Sequence, residues 1–146
     1  MRRIALSTIG LLFVTGPSVV SALELPAEIA KLRDISVKDG CQNEPPIFRA
    51  GFIRAADFNG DGKPDYVIDD NGLECKGGYN RNCGSGGCAV EVYLSTPAGT
   101  YRSANLQRLG FQSSISKREG RVTLVLPGRH GPSRYRWNGR ALVEIR

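Results

Sequence analysis

The sequence has few of the groups on which most enzymes depend. His130 is the only histidine among the 146 residues, and no G-x-S-x-G segment marks an activated serine. The glycine-rich stretch GSGG lies between two cysteines and precedes a predicted strand rather than a helix, so it is not a phosphate-binding loop. A Ser133–His130 pair in the loop PGRHGPSR is the one catalytic arrangement that can be drawn; the alternative is an ordinary surface histidine.

Long apolar runs are also scarce, since only Ile4 to Val14 form one. Arg2 and Arg3 precede this run, and the small residues Val20-Ser21-Ala22 follow it, which is the pattern of a signal peptide. The run is shorter than the roughly 20 apolar residues of a spanning helix. We therefore predict a signal peptide over 1–22 and one domain over 23–146, periplasmic or secreted, with no membrane span after cleavage. An uncleaved anchor is the alternative. Cleavage would lower the formal net charge from +6 to +4.

Three further features are missing. No N-glycosylation sequon with a permissive middle residue occurs, which fits a bacterial exported protein. No period of 20–50 residues repeats. A closed single-chain propeller, which needs at least about four blades of some 40–60 residues, is excluded by length. No nucleic-acid recognition motif appears, and we expect no nucleic-acid partner for an exported protein.

The four cysteines are Cys41, Cys75, Cys83 and Cys88. An even number of cysteines in an exported chain predicts two disulfides, which leaves three pairings open. We favour Cys83–Cys88, which would clamp the turn CGSGGC, together with Cys41–Cys75. Chain-entropy arguments give about 2 kcal/mol for the short loop and about 3–4 kcal/mol for the long one. A zinc site is the competing interpretation, although Cys-x4-Cys is not its usual spacing.

Periodicity predicts a mainly β fold: a small antiparallel β-sheet domain with a short N-terminal helix, stapled by disulfides. Helix formers follow Pro26, and apolar residues recur at helical spacing up to about Asp34. The stretch CAVEVYLS alternates, with Val90, Val92 and Leu94 on one face. The Gly-, Asn- and Cys-rich region from 71 to 87 is predicted to be a long loop.

Two hairpins are predicted near the C-terminus. Strands on either side of Glu119-Gly120 would place Ile115 opposite Leu124. Asn138-Gly139 is a strong turn signal, and a two-residue turn there would pair Trp137 with Arg140. We expect the side with Tyr135, Trp137 and Leu142 to be buried, with a bulge as a way to change this register.

The stretch DFNGDGKPD crowds acidic side chains into nine residues. Counted from Asp57, oxygen-bearing side chains occupy the first, third, fifth and ninth places, and Gly62 holds the sixth, where a calcium loop turns sharply. The predicted ligands are Asp57, Asn59, Asp61, Lys63 through its backbone carbonyl, and Asp65. Oxygen ligands without His or Cys favour Ca²⁺ over transition metals and over Mg²⁺. A solvated Asx-rich turn without an ion is the alternative.

The loop departs from an EF-hand because Ile68 occupies the twelfth place, where a bidentate Glu is required, and because strands flank it. It resembles the DxDxDGxxD calcium loop of FG-GAP and VCBS-type repeats, with Asn59 in place of the middle Asp. The chain also resembles small exported bacterial domains that combine such a loop with a Cys-Gly-rich turn and a terminal Trp-Asn-Gly hairpin. The resemblance implies Ca²⁺ binding at the five positions named above. Asp69, Asp70 and Glu74 would be a surrounding acidic field or solvated loop charges.

The C-terminal part is basic. Residues 102–146 contain ten Lys/Arg and two acids, whereas 57–74 contain six acids and one Lys. This asymmetry predicts a dipolar molecule with a basic surface opposite the calcium loop, formed by Arg129, Arg134, Arg136 and Arg140. Its partner would be an unidentified protein or an anionic envelope polymer, although the preferred interpretation is that these four are ordinary solvated arginines. The sequence thus favours an exported, non-enzymatic calcium-binding module, with an envelope hydrolase or hydrolase inhibitor acting through the basic half as the alternative.

Overall fold

The computed structural model describes residues 24–145, so the predicted signal peptide lies outside the described residues. One α-helix and eleven strands follow one another in this part of the chain. The helix, α1, covers Ala27–Cys41. The strands are β1 (Pro46–Phe48), β2 (Ile53–Ala56), β3 (Asp65–Asp69), β4 (Leu73–Cys75), β5 (Cys83–Gly84), β6 (Gly87–Ser95), β7 (Tyr101–Gly110), β8 (Ser114–Arg118), β9 (Arg121–Gly128), β10 (Gly131–Trp137) and β11 (Leu142–Ile145). The predicted mainly β fold with one N-terminal helix is confirmed.

All strand pairs are antiparallel and form three sheets within the described residues. The first sheet has β6 at its centre, paired with β3, β5 and β7, while β2 pairs with β3. The second sheet has the order β11-β10-β9-β8. A two-stranded ribbon of β1 and β4 completes the set, and β4 interrupts the segment that was predicted to be one long loop.

The main core lies between the first and second sheets. Val90, Val92 and Leu94 are fully buried on β6, as their alternation predicts, and they pack with Leu124 and Tyr135 of the second sheet. Phe58, from the loop between β2 and β3, joins the same cluster. Burial of this apolar area, worth roughly 25 cal/mol per Å², is the main force that holds the two sheets together.

The helix covers the other face of the first sheet and is longer than predicted. Its end at Cys41 packs with Phe52, Ile68 and Leu73 in a second cluster. The helix includes Gly40, and a β-carbon there would lie 2.5 Å from the Asn80 side-chain oxygen, so the close packing requires glycine at this position. Tertiary packing against the 80–82 segment therefore outweighs the helix-breaking tendency of glycine.

The four cysteines form the two favoured disulfides. Cys41–Cys75 joins the end of α1 to β4, and Cys83–Cys88 joins β5 to β6. No cysteine is free among the described residues. The zinc interpretation is therefore replaced by two covalent links, one of which fastens the helix to the ribbon.

The two C-terminal hairpins form, but only one has the predicted register. Ile115 lies opposite Leu124 across the Glu119-Gly120 turn, as expected. In the last hairpin Trp137 pairs with Leu142 rather than Arg140, because the Asn138 side chain accepts hydrogen bonds from the backbone N–H groups of residues 140 and 141 and closes a four-residue turn. The shift is two residues on one strand, so Tyr135 and Leu142 remain on the buried side.

Candidate functional site

The acidic loop connects β2 to β3, two adjacent antiparallel strands of the first sheet. Phe58 is buried in the main core and thereby fixes the start of the loop to it. Gly60 and Gly62 have φ angles of 78° and 80°, a left-handed conformation that other residues adopt at a cost. The chain thus turns twice within 57–64, as the two glycines predict.

Asp57 organises the turn through its side chain. Its two carboxylate oxygens accept hydrogen bonds from the backbone N–H groups of Gly60 at 2.7 Å, Asp61 at 3.1 Å and Gly62 at 2.9 Å. These bonds bring three amide dipoles to one carboxylate and hold the loop closed. A carboxylate has about four lone-pair positions, so one remains on Asp57.

Asn59 and Asp61 face each other across the same turn. The Asn59 amide nitrogen donates to Asp61 at 3.2 Å, while the Asn59 oxygen accepts the Asp61 backbone N–H at 3.0 Å. Asp61 also accepts the Lys63 N–H at 2.8 Å and the Ser95 hydroxyl at 3.1 Å. The hydrogen bond from the Lys63 backbone is the largest cause that lowers the pKa of the Asp61 carboxyl. Asp61 is therefore an exposed, ionised oxygen donor with an acceptor position to spare.

Asp65 differs from the other predicted ligands because it is completely buried. One oxygen accepts the backbone N–H groups of Phe58 at 2.8 Å and Asn59 at 3.3 Å, and the other accepts the N–H and hydroxyl of Ser95 at 2.8 Å and 3.1 Å. Burial raises the pKa of the Asp65 carboxyl, and these hydrogen bonds oppose that rise. Three backbone N–H groups thus bond Asp65 and tie the loop to β6. The single hydrogen of the Ser95 hydroxyl is shared, because this hydroxyl lies 3.1 Å from both Asp65 and Asp61, and it fills the fourth acceptor position of Asp65 only when it turns away from Asp61.

The oxygen donors of the loop fit a hard cation in kind. Within residues 24–145, however, no group of three or more His, Cys, Asp and Glu side chains is arranged to hold a metal ion. Asp57 and Asp61 each keep an acceptor position, as does the Asn59 amide oxygen, whereas Asp65 is buried and already accepts three backbone N–H groups. The calcium ligands, Asp65 in particular, stay a prediction.

The acids beyond the loop have three different environments. Asp69 is buried and accepts hydrogen bonds from the Ser113 N–H at 2.8 Å and from Arg54 at 3.2 Å. Burial lowers the pKa of the Arg54 guanidinium, and the charge of Asp69 partly restores it. Exposed Glu74 pairs with Arg49 at 2.7 Å. Asp69 is therefore a structural anchor and not the solvated loop charge that sequence reasoning allowed.

Asp70 is buried beneath α1 and accepts the Ser36 hydroxyl. Burial raises the pKa of the Asp70 carboxyl from 3.8 to about 6, and the charges of Glu91 and Asp69 add to the rise. Together with Asp39 and Tyr93, Asp70 and Glu91 line a cavity of 130 Å³ between the helix and the sheet. Sequence reasoning missed this group; the signal for it was a pair of acids placed directly after the apolar strand YVI.

The four arginines predicted to form an anionic-partner surface are separated in space. Arg134 and Arg136 lie two residues apart on β10 and so share one face of the second sheet. Arg129 lies in the turn before β10 and Arg140 in the turn after it, at opposite ends of the strand. Arg136 is half-buried and donates to the Thr123 hydroxyl at 3.2 Å.

The acidic loop adjoins the basic sheet and does not lie opposite to it. A cleft of 170 Å³ is lined by Asp57 and Asn59 on one side and by Arg121, Arg136 and Trp137 on the other. No ion pair joins the loop to these arginines in the part of the chain that the structure describes. The charges are therefore unevenly distributed along the sequence but brought together by the fold.

The serine–histidine pair is not assembled. His130 is exposed in the turn between β9 and β10, and the Ser133 hydroxyl donates to Glu144 at 2.7 Å. No hydrogen bond links His130 to Ser133 in the described chain. The hydroxyl of Ser133 is therefore bonded to a carboxylate and not to the imidazole that a Ser–His arrangement requires. The hydrolase alternative therefore gains no support from this arrangement.

Comparison with known proteins adds no relative from which function could be transferred: no protein-family model, no curated protein and no solved structure matches the chain.

Proposed function

We propose that this chain is an exported, calcium-stabilised β-domain that acts as a non-enzymatic binding or interaction module of the cell envelope or extracellular space. The observation that carries the proposal is the preformed turn between β2 and β3. There Asp57, Asn59 and Asp61 are held close together, yet each retains an unused oxygen lone pair. The residues that would hold Ca²⁺ are Asp57, Asn59, Asp61, Lys63 through its carbonyl, and Asp65.

Ca²⁺ would supply charge neutralisation rather than chemistry. Two exposed carboxylates within one tight turn repel each other, and a divalent cation removes that repulsion. Asp65 would contribute through the acceptor position that opens when the Ser95 hydroxyl turns toward Asp61. If it does not, water completes the coordination, which calcium accepts readily.

Export is supported by the disulfides and by the N-terminal sequence pattern. Two disulfides in a chain of this size are characteristic of proteins from oxidising compartments. No helix among residues 24–145 is long and apolar enough to cross a membrane. The periplasm or the extracellular medium is the proposed location, and mass spectrometry of the exported protein would show whether cleavage follows Ala22.

Thermal unfolding with saturating Ca²⁺ and with EGTA tests the calcium proposal. We expect Ca²⁺ to raise the Tm of the wild-type protein and calorimetry to detect binding, with a dissociation constant of order 10⁻⁴–10⁻³ M as in other extracellular modules. Asp61→Asn should abolish the Ca²⁺-dependent part of the Tm, and it should lower the Tm in EGTA much less than Asp65→Asn does, because Asp61 and two of the hydrogen bonds that it accepts are exposed. Identical melts with and without Ca²⁺, and no heat of binding, would refute the proposal.

Asp65→Asn separates anchoring from ligation. The amide places an N–H₂ donor against backbone N–H donors of Phe58, Asn59 or Ser95, which leaves hydrogen bonds unmade. Both the Tm in EGTA and the Tm in Ca²⁺ should therefore fall. If instead Asp65→Asn leaves the EGTA melt unchanged, the anchoring role derived from its hydrogen bonds is wrong.

A further inference from the structure

The register of the second sheet determines which side chains share its outer face. Leu124, Tyr135 and Leu142 point into the main core. Because side chains alternate along a strand, the residues next to them point outward, and directly paired residues lie on the same side. Arg118 pairs with Arg121, and Arg136 and Arg134 pair with Thr123 and Val125, which are two and four residues beyond Arg121. Arg118, Arg121, Arg134 and Arg136 therefore lie on one surface, called the basic face below.

The basic face carries no acid. The two carboxylates of this part of the chain lie elsewhere: Glu119 is in the turn at one end of the sheet, and Glu144 pairs with Tyr135 on the inward side. None of the ion pairs formed in the described chain involves the four arginines. The face thus has four positive charges without an ion-pair partner, and Asp57 lies across the cleft from two of them, Arg121 and Arg136.

Two of these charges are placed at a cost to the fold. Arg118 and Arg121 are direct cross-strand neighbours, and like charges in such positions are destabilising. Arg136 is a diagonal neighbour of Arg121 across the next strand pair, since it lies opposite Thr123. An anion lying across β8, β9 and β10 would remove this repulsion. Anion binding therefore supplies a physical reason for placing these arginines next to one another.

The chemistry of the face favours a carboxylated sugar chain. All four cations are arginines, whose planar guanidinium pairs with a carboxylate through two hydrogen bonds. The exposed hydroxyls of Ser114 and Ser116 lie on the same face and can exchange hydrogen bonds with sugar hydroxyls. A membrane surface is less suitable, because Val143 is the one large exposed hydrophobic side chain there.

We propose that the basic face binds a linear polysaccharide that carries carboxylate groups. The proposal rests on the binding-module function above and names its partner class, but it does not require the calcium loop to be loaded. The bound chain runs across β8, β9 and β10, with its carboxylates on the arginines. Binding weakens as salt is raised, because these contacts are exposed ion pairs.

The experiment uses hyaluronate as the probe, because it carries regularly spaced carboxylates, with neutral dextran as the polymer control. Arg118→Ser together with Arg134→Ser removes two exposed charges from the basic face. Arg129→Ser together with Arg140→Ser removes two exposed charges from the turns and changes the net charge equally. Calorimetric titration should show a five- to tenfold loss of affinity for the first double variant, about what two exposed ion pairs contribute, and less than twofold for the second.

Equal losses in both double variants would show attraction by net charge alone and overturn the proposal, as would wild-type binding to dextran as tight as to hyaluronate. The wild type could also bind phosphatidylglycerol vesicles more tightly than hyaluronate and lose this binding in the basic-face variant. That result would assign the face to a lipid surface and overturn the proposal too. The Ca²⁺-dependent Tm of the basic-face variant should match wild type, so failure of polymer binding with calcium binding intact refutes the basic-face proposal alone.

Discussion

At the scale of single residues, carboxylates that look equivalent in the sequence have different physical environments. Asp57 and Asp61 lie in an exposed turn and retain acceptor positions, whereas Asp65 is buried and accepts three backbone N–H groups. Spacing predicts which residues are close to one another, but it does not predict which donors will reach each oxygen. In this loop the environment of Asp65 depends on Ser95 of β6, which lies thirty residues away along the chain and donates its backbone N–H to Asp65.

Asp70 makes a pH dependence predictable at the same scale. Its pKa is about 6 in the folded protein against 3.8 in the unfolded chain, so between these values the folded state holds one more proton. Stability therefore increases as the pH falls from about 7 to about 4, by at most about 3 kcal/mol. Asp70→Asn resembles the protonated form and should lose this increase. Urea unfolding of both proteins across this pH range measures the effect.

The difference between the two proteins isolates Asp70 and the acids coupled to it, Glu91 and Asp69, because groups distant from Asp70 titrate equally in both. Wild type should be less stable than Asp70→Asn near neutral pH, and the gap should narrow as the pH falls. A gap that stays constant across the range would contradict the assignment of the shift to Asp70.

At the scale of elements, turn chemistry decides how well a hairpin can be predicted. Glu119 and Gly120 both have positive φ, so the predicted two-residue turn forms and the strand register follows from it. Asn138-Gly139 looks like an equally strong signal, but the Asn138 side chain caps two backbone N–H groups and lengthens the turn. The alternation of apolar residues survives because a two-residue shift keeps each side chain on its face.

The disulfides allow a prediction about how the elements are held together. Cys41–Cys75 spans 34 residues and Cys83–Cys88 spans 5. On the chain-entropy account, Cys41→Ala with Cys75→Ala should lower the free energy of unfolding by about 3–4 kcal/mol, and Cys83→Ala with Cys88→Ala by about 2 kcal/mol. Denaturant unfolding of the two double variants checks the order. Equal losses would mean that loop entropy does not dominate at these sites.

At the scale of the whole molecule, folding brings together charges that the sequence separates. The acidic loop and the C-terminal arginines line one cleft, so the molecule does not have the simple dipole that their sequence positions predict. The helix and the two sheets form three layers, and the loop projects where the first sheet meets the second. This placement gives the proposed calcium site an electrostatic influence on the basic face.

A linkage between the two proposed sites follows. Ca²⁺ would cancel negative charge next to Arg121 and Arg136. Hyaluronate should therefore bind about two- to threefold more tightly with Ca²⁺ than with EGTA. The effect is modest because salt screens the interaction between the calcium site and the bound polymer. Titration with Mg²⁺ in place of Ca²⁺ controls for neutralisation of the polymer, and Asp61→Asn should show no Ca²⁺ effect. Reciprocity requires hyaluronate to raise the calcium affinity by the same factor. Absence of any Ca²⁺ effect would show that the two sites are independent.

The sequence alone determined the β character of the fold, the buried side of β6 and the Glu119-Gly120 register, and it favoured the two cysteine pairs that form among three possible pairings. These features depend on short-range patterns: alternation, turn residues and the small number of available thiols. The tertiary structure alone decided that Asp65, Asp69 and Asp70 are buried, that α1 extends through Gly40, and that Arg118 and Arg121 join Arg134 and Arg136 on one face. The reason is that burial and charge proximity arise between residues that are distant in sequence, and only the packing of the three layers fixes those distances.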